Sequence, residues 1–337
     1  MKILIIGGTR FFGYHTARRL LFDGHDVTLF NRGRTPDDFG ARVERIRGDR
    51  NDVGSFVDSL KDLRFDAVID MIAYKAEDSQ AAVEAFQGHI GHYIHISTGA
   101  VYLVTQDYSS PLREEDFDRP LYPRPATGEG WWDYGYSKRK CEDVLREAYQ
   151  KRGFPATVLR LPIVIGERDY TLRAYSYFLR LMDGKPQILP DSGMVAQTYL
   201  YQGDIVETMA SNLKNPVSIG KAYNLAQKEM VTLREFVLKA AQILEVDAEL
   251  VDIPSKVLAK TSLGTSFSPL FGRRPFVMDS HRASQELDFA PSAFDTWMRK
   301  TIRWFQVEYK GGPPANYSLR DKELEMVRKY KDAVKSL

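Results

Sequence analysis

Apolar positions recur along this chain in two rhythms. "KILIIGG" opens with an unbroken apolar run that glycines end, the pattern of a strand buried on both faces. From residue 13 to 23, Tyr14, Ala17, Leu20 and Leu21 repeat at helical spacing. "DVTLFNR" and "VERIRGD" read as the next two strands, and Val53 to Leu63 as a helix. "DAVIDMIA", "HYIHIST" and "ATVLRLPIVI" complete six strands, with helices expected around 76–88 and 133–151. Strand and helix alternating at this pitch predict an α/β fold: a doubly wound parallel sheet with helices on both faces.

After about Ile165 the rhythm loosens. "YTLRAYSYFLRLMDG" reads as a helix, "TYLYQGDIVETMASNL" as a short strand entering a helix, and "KAYNLA" as a strand. Thr232 and Glu235 form a capping-box pattern at the start of "TLREFVLKAAQILEV". "RPLYPRP" (119–125) is an exposed loop, and "GGPPANYS" (311–318) a linker into a charged terminal helix. In that helix Leu324, Val327, Tyr330 and Val334 lie near helical spacing and are expected to dock on its own domain or a second subunit. The expected division is a dinucleotide-binding part at 1–165, continued by a strand near 223–226, a smaller α/β substrate-binding part at 166–310, and a linker with terminal helix at 311–337.

Composition changes this picture little. The chain has 337 residues and a net charge of +2, from 47 basic and 45 acidic side chains, which demands neither nucleic acid nor a membrane surface. The one cysteine, Cys141, cannot close an internal disulfide, and no apolar run approaches the roughly 20 residues of a membrane span. A reducing, cytoplasmic setting is expected.

Candidate chemistry starts at "IIGGTRFFG", a glycine turn between the first strand and the first helix. Gly7 permits a tight turn and Gly13 a close helix–sheet approach, so backbone N–H groups can face a pyrophosphate. Arg10 stands where the usual middle glycine would be, and its guanidinium can reach a phosphate. The second strand ends in "FNRGR": Asn31 replaces the acid that would bind a ribose 2′-hydroxyl, and Arg32 and Arg34 supply charge. That favours NADP(H), with NAD(H) the alternative. Asp49 can contact the adenine or cap the following helix.

"YGYSKRK" (134–140) holds two Tyr/Lys pairs at a spacing of four, Tyr134/Lys138 and Tyr136/Lys140. At about 100° per residue, the first pair aligns with Cys141, Leu145 and Ala148 and should face the sheet. The second aligns with Arg139, Asp143 and Glu147, a solvated face.

With "ISTGAVY" at the fifth strand, "YGYSK", Pro162 and "YNLAQKEMVTLREF", the chain resembles an extended short-chain dehydrogenase/reductase of the NAD-dependent epimerase/dehydratase family. The resemblance covers residues 1 to about 305 and implies a Rossmann-type fold. "GGTRFFG" with "FNRGR" is similar to a branch that includes chloroplast stem-loop RNA-binding proteins. The family resemblance implies Tyr134 as proton carrier, Lys138 as its tuner and Thr98, four residues before Tyr102, as the hydroxyl that orients the substrate oxygen. It also implies a dinucleotide lined by Gly7, Thr9, Arg10, Phe11, Phe12, Gly13, Asn31, Arg32, Arg34, Asp49, Arg50, Ile72, Ala73, Tyr134, Lys138, Leu161, Pro162 and Ile163, and a homodimer.

The departures bear on substrate. Gly99 and Ala100 follow Thr98 where sugar 4,6-dehydratases of this kind carry an Asp-Glu pair, so that dehydration route is disfavoured. Ile163 and Gln197 stand where sugar-nucleotide epimerases have Asn and Arg diphosphate contacts. Arg160, Arg168, Arg173, Arg273 and Arg274 are the cations that could replace them; each alone reads as a solvated arginine. His89, His92 and His95 read as structural, because His92 and His95 point to opposite faces of a strand. No metal is expected. Trp131 and Trp132 either wall the substrate or pack the loop. The expected activity is hydride transfer at a hydroxyl-bearing carbon of a sugar or nucleotide-sugar-like substrate, by an NAD(P)-dependent epimerase or reductase. RNA binding of the chloroplast type and a non-catalytic dinucleotide sensor are the rival readings.

Overall fold

The structure, a computed structural model, describes residues 1–126 and 130–336. The chain divides into two compact units: Met1–Val164, Leu200–Ala226 and Met278–Pro291 form one, and Ile165–Tyr199, Gln227–Val277 and Ser292–Leu337 the other.

The first unit carries the parallel sheet. Its strands are β1 (Lys2–Ile6), β2 (Asp26–Asn31), β3 (Glu44–Arg47), β4 (Phe65–Asp70), β5 (Ile90–Thr98), β6 (Ala156–Leu161) and a seventh, Ala222–Asn224. In space they run 222–224, β6, β5, β4, β1, β2, β3, a Rossmann-type order. Order reverses between β1 and β4, so the chain leaves these neighbours on opposite faces and opens a crevice at their carboxyl ends. The helices are α1 (Phe11–Phe22), α2 (Val53–Leu60), α3 (Ala76–Phe86), the short α4 (Ala100–Leu103) and α5 (Gly130–Arg152).

Strand periodicity explains both cores. Ile3 and Ile5 face one layer with Tyr14, Ala17 and Leu20 of α1 and with Ile205 and Met209 of helix Gln202–Ser211. Leu4 and Ile6 face the other, with Phe56, Leu60, Ala82, Phe86, Leu145 and Ala148 of α2, α3 and α5. Residues 3–6 are all fully buried, each side chain contributing about 1.5–3 kcal/mol. Ile205 and Met209 draw their helix into the first unit, whereas the sequence pattern left it in the C-terminal part.

A buried polar layer ties the sheet to α5. Arg160 on β6 donates to both Glu142 oxygens, at 2.7 Å from Nη2, and Ser97 donates to Glu142 as well. Arg160 Nη1 reaches the Tyr102 hydroxyl at 2.8 Å, which donates to Asn224 at 2.7 Å. The Asn224 N–H donates to Glu114 at 2.8 Å. Arg160 is therefore a structural cation, not a solvated one, and is spent on Glu142. Burial raises the Glu114 carboxyl above its ordinary value.

In the second unit, Thr232 caps helix Leu233–Leu244, and Glu235 closes the expected capping box at 2.8 Å from the Thr232 N–H. The terminal helix Arg320–Lys335 docks within this unit. Glu323 pairs with Arg180 at 2.8 Å, and Val327 joins Ile188, Val251, Ile253 and Leu258. Val334 is exposed and takes no part; residue 337 lies outside the described residues. Among the described residues, no helix is long and apolar enough to cross a membrane.

Replacing one partner of a buried ion pair strands the other charge. Glu142→Gln is expected to lower unfolding free energy by about 3 kcal/mol, read from urea denaturation followed by circular dichroism; no change would contradict the network's role.

Candidate active site

At the end of β1, Gly7 and Gly8 have φ of +107° and +78°, so the backbone turns where other residues would be strained. A Cβ on Gly13 would lie 2.8 Å from Met71 Sδ and 3.2 Å from Gly8 Cα, so only glycine lets α1 start this close to the turn. The Arg10 side chain at the N-cap of α1 makes no capping hydrogen bond, and the first turn holds no acid. Its N–H groups and positive end are thus arranged for an anion. Phe11 is buried, and Thr9 and Phe12 half-buried. Exposed Arg10 donates through Nε to Thr35 at 3.0 Å, placing its guanidinium by the loop that carries Arg32 and Arg34.

At the end of β2, the Asn31 side-chain oxygen accepts from the Gly33 N–H at 2.8 Å and from Arg47 at 3.0 Å. Register places Arg47 of β3 directly beside Asn31. A Cβ on Gly33 would fall on the Arg47 guanidinium. Arg47 was missed in the sequence; the signal was its place at the end of the strand next to β2. Arg34 is exposed, and Arg32 lies 3.7 Å from Asp49. Asp49 accepts from the Asn51 N–H at 3.0 Å, and chiefly this bond holds its carboxyl below the usual range. The cap of α2 is Asp52, not Asp49.

Arg50, expected along the dinucleotide, turns its side chain into the fold. Its guanidinium is buried, 2.7 Å from Asp70 and over the Phe56 ring at 4.4 Å. Asp70 also accepts from Tyr93 at 2.6 Å and from the Ile72 N–H at 3.1 Å. The pair braces the carboxyl end of β4, and Ile72 there lies 3.4 Å from where a Gly7 Cβ would be.

Lys138 is 2% exposed. Its Nζ donates to the Ala73 carbonyl at 2.7 Å and the Ile96 carbonyl at 2.6 Å, just past β4 and near the end of β5. Burial, the largest influence, lowers this ammonium below the usual lysine value. Tyr134 is 43% exposed. The helical wheel put both on the sheet face, and burial of Lys138, Cys141, Leu145 and Ala148 agrees. Tyr134, however, is one turn nearer the start of α5, about 5.4 Å further along, and stands clear of the packed layer.

The Ala100 N–H donates to Thr98 Oγ1 at 3.2 Å, turning the chain from β5 into α4. A Cβ on Gly135 would lie 2.4 Å from the Ala100 carbonyl. Glycine after Tyr134 thus lets α5 close on α4, which brings Thr98 and Tyr134 to the same end of the sheet. The Gly99 N–H donates to the carbonyl of buried Leu161 at 2.7 Å, joining β6 to this end; Pro162 and Ile163 are half-buried.

The other pair is a surface contact. Tyr136 stacks on Trp132 at 4.8 Å, and Lys140 lies 5.3 Å from its ring and 3.2 Å from Asp143. Trp132 is buried and Trp131 exposed. Arg139 corrects the wheel: it is buried over the Phe117 ring at 3.9 Å, because segment 114–118 covers that face. Gln197 is buried and donates to the Leu270 carbonyl at 2.9 Å. Arg168, Arg173, Arg273 and Arg274 are exposed. His92 contacts Leu213 and Thr157, and no His/Cys/Asp/Glu cluster suited to a metal occurs among the described residues.

Residues 3–226 match the family model described as the NAD dependent epimerase/dehydratase family. The chain belongs to that family. Its curated relatives include the Arabidopsis thaliana chloroplast stem-loop binding protein of 41 kDa b, 29% identical over 68% of this chain and 60% of that protein, so the match spans less than two thirds of the relative. UDP-glucose 4-epimerase of Thermotoga maritima, solved with UDP-glucose, superposes at a TM-score of 0.73 with 18% identity, covering 91% of this chain and 99% of that one. UDP-glucuronic acid 4-epimerase of Bacillus cereus in complex with NAD gives 0.71 with 19% identity, covering 92% and 100%. These solved structures share the fold with this chain.

Gly135→Val is expected to destabilise the protein by about 1–3 kcal/mol through overpacking against α4. Urea denaturation checks this, and an unchanged midpoint would refute the close approach.

Proposed function

We propose that this protein moves a hydride between a hydroxyl-bearing carbon of a sugar or nucleotide-sugar-like substrate and a nicotinamide dinucleotide, as an epimerase or reductase. The observation that carries the reading is Lys138: a buried ammonium held by two strand-end carbonyls, one helical turn from an accessible phenol. The residues fit a dinucleotide: Gly7, Gly8 and Gly13 keep the turn low, the N-cap side chain of α1 makes no capping hydrogen bond, and Lys138 lies at the carboxyl ends of β4 and β5. When bound, the nicotinamide supplies hydride acceptance and return.

The remaining work falls to the chain. A free phenol titrates near pH 10, so acting near pH 7 needs roughly 4 kcal/mol of stabilisation of its anion. Lys138 supplies a nearby positive charge for this. Tyr134 takes the proton of the substrate hydroxyl as hydride leaves the carbon, and returns it in the reverse step. Thr98 holds the substrate oxygen. An epimerase returns hydride to the other face of the keto intermediate; a reductase releases the product. Gly99 and Ala100 offer no carboxylate for dehydration. Ile163 has no hydrogen-bonding group and buried Gln197 no charge for diphosphate contacts, so substrate recognition differs from that of nucleotide-sugar epimerases at these positions.

The cofactor side favours NADP(H). Asn31 carries no charge to repel a 2′-phosphate, and Arg32, Arg34 and Arg47 gather at the end of β2. A second reading, binding of a structured RNA, draws on the plant relative's name. A net charge of +2 argues against it, and a salt-sensitive gel shift with stem-loop RNA would favour it.

Tyr134→Phe is expected to lower kcat about 10²–10⁴-fold while leaving dinucleotide affinity within about threefold. Unchanged activity would favour the sensor instead. NADP(H) is expected to bind more tightly than NAD(H) by isothermal titration calorimetry, and R32E/R47E to reverse the order. Tighter NAD(H) binding by the unaltered protein would overturn the preference.

A further inference from the structure

One face of β5 carries polar residues at every second position, and each meets a charged group. Tyr93 donates to Asp70 at 2.6 Å, His95 Nε2 lies 3.4 Å from Lys138 Nζ, and Ser97 donates to Glu142. His95 is fully buried, and its Nδ1 has no hydrogen-bond partner among the described residues. Burying an imidazole with an unmatched nitrogen is costly, and an apolar side chain would fill a purely structural position at lower cost. The Lys138 contact is the feature that sets this position apart. An ammonium has three protons: Ala73 and Ile96 take two, and the third direction meets His95.

We infer that His95 is a positioning residue for Lys138, its Nε2 accepting the third ammonium proton and so fixing the charge presented to Tyr134. The inference rests on the proposed proton-transfer role of Tyr134 and Lys138. Accepting at Nε2 requires a neutral ring protonated at Nδ1. The surroundings keep it neutral: burial first, then the cations of Lys138 and Arg50, push the imidazole well below its ordinary value. The other groups facing this cluster are Asp70 of β4, Asp78 of α3, and Cys141 and Glu142 of α5. The negative charge of the three carboxylates favours the ammonium, while burial opposes it and, pushing the Cys141 thiol up to about 11, keeps that thiol protonated. An acceptor at His95 adds to the side that keeps Lys138 charged.

The test is nuclear magnetic resonance on ring-¹³C tyrosine protein, with the Tyr134 signal assigned by its loss in Tyr134→Phe. His95→Phe keeps an aromatic ring and removes the acceptor; His95→Gln restores an acceptor oxygen. His95→Phe is expected to raise the Tyr134 titration midpoint by about 0.5–1 unit, a three- to tenfold change in proton affinity, and His95→Gln to recover most of it. A folded His95→Phe protein with an unmoved Tyr134 midpoint overturns the inference, while Lys138→Met still shifting that midpoint would leave the proton-transfer reading standing. If Lys138→Met also moves nothing, both fall. Should His95→Phe not fold, ¹⁵N spectra of the unaltered protein decide: a proton on Nδ1 of His95 supports the inference, and one on Nε2 overturns it.

Discussion

An ammonium buried at the carboxyl end of a parallel sheet must have acceptors, and Lys138 finds two in the carbonyls of Ala73 and Ile96. This requirement orders the rest. It pins α5 at one height against β4 and β5. It places Tyr134 one turn beyond the packed layer, exposed where Lys138 is buried. Gly135 then lets the same helix close on Ala100, so the turn carrying Thr98 comes to the same end. A hydrophobic residue at 138 would satisfy packing but leave both carbonyls without this donor.

Around that lysine the sheet end is stiffened by charge. Arg160–Glu142 joins β6 to α5, and Arg50–Asp70 braces the end of β4. Such pairs contribute little net stability compared with apolar replacements, but breaking one is costly. Their value here is geometric. They hold the strand ends, from which the glycine turn, Ile72, Ala73 and Thr98 project, in one arrangement.

The parallel sheet was legible because its strands are buried on both faces and read as apolar runs, and the capping box at Thr232 and Glu235 was legible because capping is local. Helix Phe294–Val307 was missed although Phe294, Trp297, Met298, Thr301, Ile302 and Phe305 repeat at helical spacing and are buried. That signal was present in the sequence. The pairing of Gln187–Pro190 with Leu250–Ile253 joins segments distant in the chain and leaves no local trace. The helical wheel found the inward face of α5 but exposed Arg139, because it cannot see that segment 114–118 folds over the helix. Arg160 was misread as solvated for the same reason, and the ion pair of Arg50 was equally invisible: their partners, Glu142 and Asp70, are brought to them only by the fold. Arg47 and His95 gain interest solely from neighbours on adjacent elements.

The glycine turn of β1 and the Lys138 end of α5 are proposed to belong to one dinucleotide site. Native mass spectrometry of the folded protein with added NAD(P) tests it most directly. One dinucleotide per chain is expected, its binding weakened by Lys138→Met. A folded protein that binds neither NAD nor NADP would contradict it.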